Sequence, residues 1–230
     1  MEKLEKWARF RPRTLGTVFC SALVMVLATC MPSSTVWAPS PEELDARAPD
    51  SFVVSMETSE GSVEMTMYRA WSPLAVDRVY YLMANDFYAG ARFYRVVPGF
   101  VAQWGLTGKP VLDSIWQEKG IDDEPVVESN SRGTLSFARG GRRTRSFQLF
   151  INLVDNSRLD AYAGGGVVGY PPVGRVHTGM DVVDGLYGVY GQPSEMQDSI
   201  STVGTAYLRR TYPQLDSIIS TRVVRSWPAR

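Results

Sequence analysis

Cysteine is almost missing from this chain of 230 residues: Cys20 and Cys30 both lie near the N-terminus, so everything after them has no disulfide of its own. That scarcity fits an oxidising compartment without requiring one. Histidine occurs once, at His177, just before Gly179 at an expected helix start, and reads as a surface or capping residue. P-loop, dinucleotide-fingerprint and zinc-ligand spacings do not occur, and no cofactor is expected. Asp122, Asp123 and Glu124 are adjacent but lack calcium-loop spacing, so they read as a solvated acidic turn. Net charge is also missing, with 24 basic and 24 acidic residues. Five of the former and two of the latter fall in the first 30 residues, leaving 19 against 22. Such a balance gives no general attraction to nucleic acid or anionic membrane, and no nucleic-acid partner is expected. Internal repeats are not visible.

What is present begins with a basic start, Lys3 to Arg13, followed by a charge-free run from Leu15 to Met31 and a small-residue site at Val36-Trp37-Ala38. This is the layout of a secretory signal. Three outcomes stay open: cleavage after Ala38, which Pro39 disfavours; lipidation at Cys30, where Leu27-Ala28-Thr29-Cys30 is similar to a bacterial lipobox except at Thr29; and retention as an anchor. The run of 17 residues is at the short limit for a membrane span. Each outcome places the rest of the chain in the bacterial cell envelope, outside the cytoplasm, with membrane contact only through the N-terminus. The division expected is a signal or anchor over 1–38, a flexible linker over 39–50, and one folded domain, a monomer, over 51–230.

Within that domain, Phe52, Val54 and Met56 alternate with other residues, and after Ser59-Glu60-Gly61 the alternation resumes at Val63, Met65 and Met67, which predicts a β-hairpin. Ser72-Pro73 starts a helix, with serine as N-cap and proline at the first helical position. Further strands are expected around 92–97, 100–104, 133–138, 147–153, 173–176 and 218–224, and a second helix around 180–187. Many strands and two separated helices suggest a closed barrel or a sandwich, which periodicity alone does not separate.

The stretch Phe93 to Gln103, FYRVVPGFVAQ, sets one permanently charged guanidinium, Arg95, among residues that otherwise read as buried strand. Phe100, Val101 and Gln103 follow the Pro98-Gly99 turn, giving an apolar patch and an amide within eight residues of the charge. Alone, Arg95 reads equally well as a strand charge paired with Glu64 or Asp86.

Taken with Gly133–Ala138 (GTLSFA), Phe147–Asn152 (FQLFIN), Leu159-Asp160 and Val173–Leu186, this stretch resembles the cyclophilin family of peptidyl-prolyl isomerases, over roughly residues 50 to 226. The resemblance implies a mainly β fold, a closed eight-stranded antiparallel barrel capped by two α-helices. It also implies that Arg95 and Gln103 are catalytic. Phe100, Val101, Phe150 and Leu159 would then form the proline socket, while Ala138, Arg139, Gln148 and Tyr170 line the peptide groove, Arg139 through its backbone. Val101 replaces a family methionine, Arg158 a tryptophan, and Tyr170 a histidine. The basic loop Arg139, Arg142, Arg143 and Arg145 is expected to select acidic residues preceding proline. Partners are proline-containing, unfolded or flexible polypeptides. Two other classes remain: a catalytically silent module binding a proline-containing segment, and a holdase acting through apolar patches.

Overall fold

The computed structural model describes residues 36–193 and 195–227. Helix α1 (Pro41–Leu44) precedes strands β1 (Ser51–Thr58) and β2 (Gly61–Tyr68), helix α2 (Pro73–Ala84), strands β3 (Arg95–Val97) and β4 (Val101–Trp104) and helix α3 (Pro110–Gln117). Strands β5 (Thr134–Phe137) and β6 (Leu149–Asn152) lead through a 3-10 turn, Ser157–Leu159, to the small pair β7 (Ala163–Gly164) and β8 (Val167–Val168). Strand β9 (Pro172–Thr178), helices α4 (Met180–Gly185), α5 (Met196–Val203) and α6 (Thr205–Thr211), and strand β10 (Ile218–Trp227) complete the order.

The β1–β2 hairpin forms where the alternation placed it, with Phe52, Val54, Met56, Val63, Met65 and Met67 all buried on one face. Eight strands then run in the order β10-β1-β2-β9-β5-β6-β4-β3. Residues 90–93 bond to residues 216–218, through Gly90 N–H to the Ile218 carbonyl (2.8 Å), Ile218 N–H to Ala91 (2.9 Å) and Phe93 N–H to Asp216 (3.0 Å). These bonds join the segments leading into β3 and β10, the two ends of the order, and bring the two edges of the sheet together there.

Both expected helices are present, α2 and α4, and among the described residues four more accompany them. Helix α3 forms in a stretch that reads as loop because Leu112 and Trp116, four residues apart, are buried together against the core. Ser72 does start α2, yet its side chain does not cap it. Its hydroxyl donates instead to Glu124, whose carboxylate accepts from the N–H groups of Leu74 (2.7 Å) and Ala75 (3.1 Å). Glu124 also receives Arg145 at 3.1 Å, with side-chain exposures of 9% and 1%, so it is not the solvated residue expected. A first-turn carboxylate satisfies N–H groups that helix geometry leaves without intrahelical partners.

The stretch expected as a flexible linker is docked on the barrel. A capping box at Ser40 and Glu43 starts α1, Ala48 is buried and its N–H donates to Asp77 at 2.9 Å. The indole N–H of buried Trp116 donates to the Val36 carbonyl at 2.8 Å. The N-terminal signal or anchor lies outside the described residues, among which no helix is long and apolar enough to cross a membrane.

Candidate active site

Strands β3 and β4 are joined by a tight turn in which Phe100 N–H returns to the Val97 carbonyl (2.9 Å) and Gly99 takes φ +74°, a conformation open to glycine. The register sets Arg95 opposite Gln103, and Gln103 opposite Phe150 on β6. Directly opposed residues share a face, so Arg95, Val101, Gln103 and Phe150 point one way. Their neighbours Val96, Ala102, Trp104 and Ile151 point into the core.

On the outer face the Arg95 guanidinium is half-buried over the Phe100 ring, 5.3 Å from its centroid. Nη1 donates to Gln103 Oε1 (3.1 Å) and Nε to Gln192 Oε1 (2.6 Å). Nη2 has no hydrogen bond among the described residues. Burial lowers the Arg95 pKa, but a guanidinium starts high enough to stay charged at neutral pH. The alternative carboxylate partners are engaged elsewhere: Glu64 lies 3.2 Å from His177, and Asp86 accepts from the Thr221 N–H at 2.6 Å.

Gln103 is held from below. Its Nε2 donates to the Tyr94 hydroxyl (2.6 Å) and to Gln148 Oε1 (3.3 Å), while the Tyr94 hydroxyl donates to Gln148. Burial pushes the Tyr94 phenol well above its ordinary pKa, so it stays protonated. With its nitrogen so engaged, Gln103 must show its oxygen to Arg95.

Beside this polar row lies a small apolar cluster separate from the main core: Val101, Phe150 and Leu159 are buried together, with Phe100, Ala138 and Tyr170 packed against them. Leu159 ends the 3-10 turn, and its carbonyl receives the Tyr170 N–H at 3.1 Å. Asp160 anchors this edge by accepting from Ser129 (2.6 Å) and from the Asn130 side chain (2.7 Å), which also donates to the Tyr170 carbonyl (2.8 Å). Burial raises the Asp160 pKa, but these hydrogen bonds outweigh it and leave the carboxyl below its ordinary value.

All ten residues singled out from the sequence line one cavity of about 660 Å³. Two of them also make side-chain bonds within the fold. Gln148 acts in the network beneath Gln103, as an acceptor. Arg139 lines the cavity, but its guanidinium donates to the carbonyls of Gly164 (2.6 Å), Gly169 (3.0 Å), Val167 (3.1 Å) and Tyr162 (3.3 Å) and stacks on Tyr170 at 4.4 Å. It ties down the β7–β8 hairpin, whose carbonyls need donors.

The expected basic selector loop is therefore mostly engaged in structure. Arg145 is buried with Glu124, and Arg143 pairs with Asp122 at 2.7 Å. Sequence reasoning missed Gln117, Thr144, Ser146, Gln192, Gln197, Asp198 and Ser201, which also line the cavity. Four of these come from the segment before β10, and no motif marks them. His177 sits outside the cavity, with Nδ1 3.0 Å from the Thr66 hydroxyl. Among the described residues no cluster suited to a metal ion occurs.

A family model described as cyclophilin type peptidyl-prolyl cis-trans isomerase/CLD matches residues 53–205. A peptidyl-prolyl cis-trans isomerase of Acinetobacter baylyi is 31% identical over 147 residues, 64% of this chain and 77% of its own length. Peptidyl-prolyl cis-trans isomerase A of Dickeya dadantii is 32% identical over 132 residues, 57% of this chain and 68% of its own. Among solved structures, a Cryptosporidium parvum cyclophilin type peptidyl-prolyl cis-trans isomerase has a TM-score of 0.53 at 20% identity, covering 76% of this chain and 99% of that one, which shows the shared fold.

Proposed function

Because the chain belongs to the family of cyclophilin-type peptidyl-prolyl cis-trans isomerases, we propose that the X-Pro bond it rotates is held in the groove around Arg95, in proline-containing, flexible segments of envelope proteins. The amide barrier is about 18 to 20 kcal/mol because the nitrogen lone pair is delocalised into the carbonyl, and spontaneous exchange takes roughly 10 to 100 s. In the twisted transition state the nitrogen regains its lone pair. A fixed donor aimed at it binds that state better than either planar state.

The apolar cluster of Val101, Phe150 and Leu159 receives the proline ring, Phe100 flanks it, and Arg95 supplies the donor. Gln103 and Gln192 occupy Nη1 and Nε, which fixes the fork and leaves Nη2 for the substrate. No proton changes owner. The observation that carries the assignment is a guanidinium with, among the described residues, an unused donor and no carboxylate partner beside an apolar socket.

Relaxation of a cis X-Pro peptide with the full-length protein tests it. Wild type accelerates exchange, and Arg95→Ala lowers kcat/KM by about 10²-fold, the scale of losing one transition-state donor, with its fold retained. A well-folded wild type that gives no acceleration refutes the assignment.

Envelope location is supported by the basic start and the apolar run to Met31. The contact between Trp116 and Val36 favours the outcomes that keep Val36, lipidation at Cys30 or retention, over cleavage after Ala38. Intact mass of the mature protein from fractionated cells separates all three.

A further inference from the structure

The segment joining α4 to β10 forms one wall of the groove. Helix α5 turns Met196 and Ile200 inward and packs against α3. Gln197, Asp198 and Ser201, spaced three and four apart, line the cavity. Both ends of the wall are pinned. Gln192 bonds the Arg95 Nε at 2.6 Å, and the Gly204–Thr205 corner after α5 sits on Gly108, whose carbonyl receives the Thr205 N–H at 2.9 Å. A Cβ on Gly204 would lie 2.4 Å from that carbonyl oxygen, so the approach requires glycine.

Three charged residues line the cavity: Arg95, Arg139 and Asp198. Arg95 is fixed for the reaction, and Arg139 is engaged by four carbonyls. The Asp198 carboxylate is exposed and has no hydrogen bond or ion pair among the described residues; only its backbone carbonyl is used, by Thr202 at 2.9 Å. With proline in the apolar socket, neighbouring substrate residues pass along this wall. We propose that Asp198 selects substrates with a lysine or arginine near the proline, the opposite sign from the preference the basic loop suggests in the sequence. The proposal rests on the groove being the place where the proline segment lies.

A peptide series with Lys, Ala or Glu scanned over two positions on each side of proline tests it. At one position Lys exceeds Ala in kcat/KM by about two- to fivefold, the scale of an exposed ion pair, and Glu falls below Ala. The Lys-to-Ala ratio approaches one in Asp198→Asn, inverts in Asp198→Lys, and shrinks as salt rises. General damage would lower both peptides and leave the ratio in place. Equal turnover of all three peptides at every position, or a Lys preference that survives Asp198→Asn, overturns the proposal. If wild type accelerates no peptide, the isomerase assignment of the groove fails. The same ratios measured as peptide affinities then judge Asp198 separately, by the same criteria.

Discussion

Tyr94 shows how one buried hydroxyl sets the chemistry above it. It accepts from Gln103 Nε2 and donates to Gln148, so it fixes which end of the Gln103 amide faces Arg95. Tyr94→Phe removes that hydroxyl and costs about 1 to 3 kcal/mol of stability through the polar groups left unpaired. The expected kinetic result is a fall in kcat with KM nearly unchanged, because Tyr94 positions Gln103 and does not touch substrate. Peptide relaxation beside a thermal melt checks both; a change in KM alone would place Tyr94 in binding. The pH dependence is also decided at this scale. Arg95 stays charged, no proton is transferred, and His177 lies outside the groove, so kcat/KM stays flat from pH 6 to 8. A bell-shaped profile would show a proton-transferring acid or base, which this mechanism does not use.

Among the elements, α2 and the loop before β5 are locked by the Glu124–Arg145 pair. Glu124→Ala leaves a guanidinium that is 1% exposed without its carboxylate and uncaps the first turn of α2. About 3 to 5 kcal/mol of stability is lost, the scale of breaking a buried pair, while Arg143→Ala, from a pair 72% and 63% exposed, changes stability by less than about 1 kcal/mol. Denaturant melts of the two variants give the comparison. Helix starts at Ser72-Pro73 are legible locally; the carboxylate that caps this one, about 50 residues later, is not. The β7–β8 hairpin behaves similarly. Arg139→Ala frees four carbonyls and loosens Tyr170, so KM rises more than kcat falls, and a fall in kcat alone would place Arg139 in the reaction itself.

For the whole molecule, acid stability depends on the carboxyl that holds the socket to the barrel. The folded pKa of Asp160 lies below its ordinary value, so its contribution is full above the unfolded pKa and is lost as pH falls through the folded one. Stability therefore declines below about pH 4, and Asp160→Asn flattens that part of the curve, as urea midpoints measured from pH 6 to 3 will show. Much of this architecture was legible in advance. Alternation fixed the β1–β2 hairpin, and the spacing of Arg95, Val101 and Gln103 about the Pro98-Gly99 turn put them on one face. A strand's side chains alternate by backbone geometry alone, so a short sequence carries that information. The linker at 39–50, the helices α3, α5 and α6, and the partners of Arg139, Arg145 and Glu124 were not legible. The sequence by itself determined that Arg95, Val101 and Gln103 share one strand face. Only the tertiary structure decided which charged side chains remain unbonded within the groove, because a charged group is engaged by whatever partner folding brings near, and for Arg139, Arg145 and Glu124 those partners lie some 20 to 50 residues away along the chain.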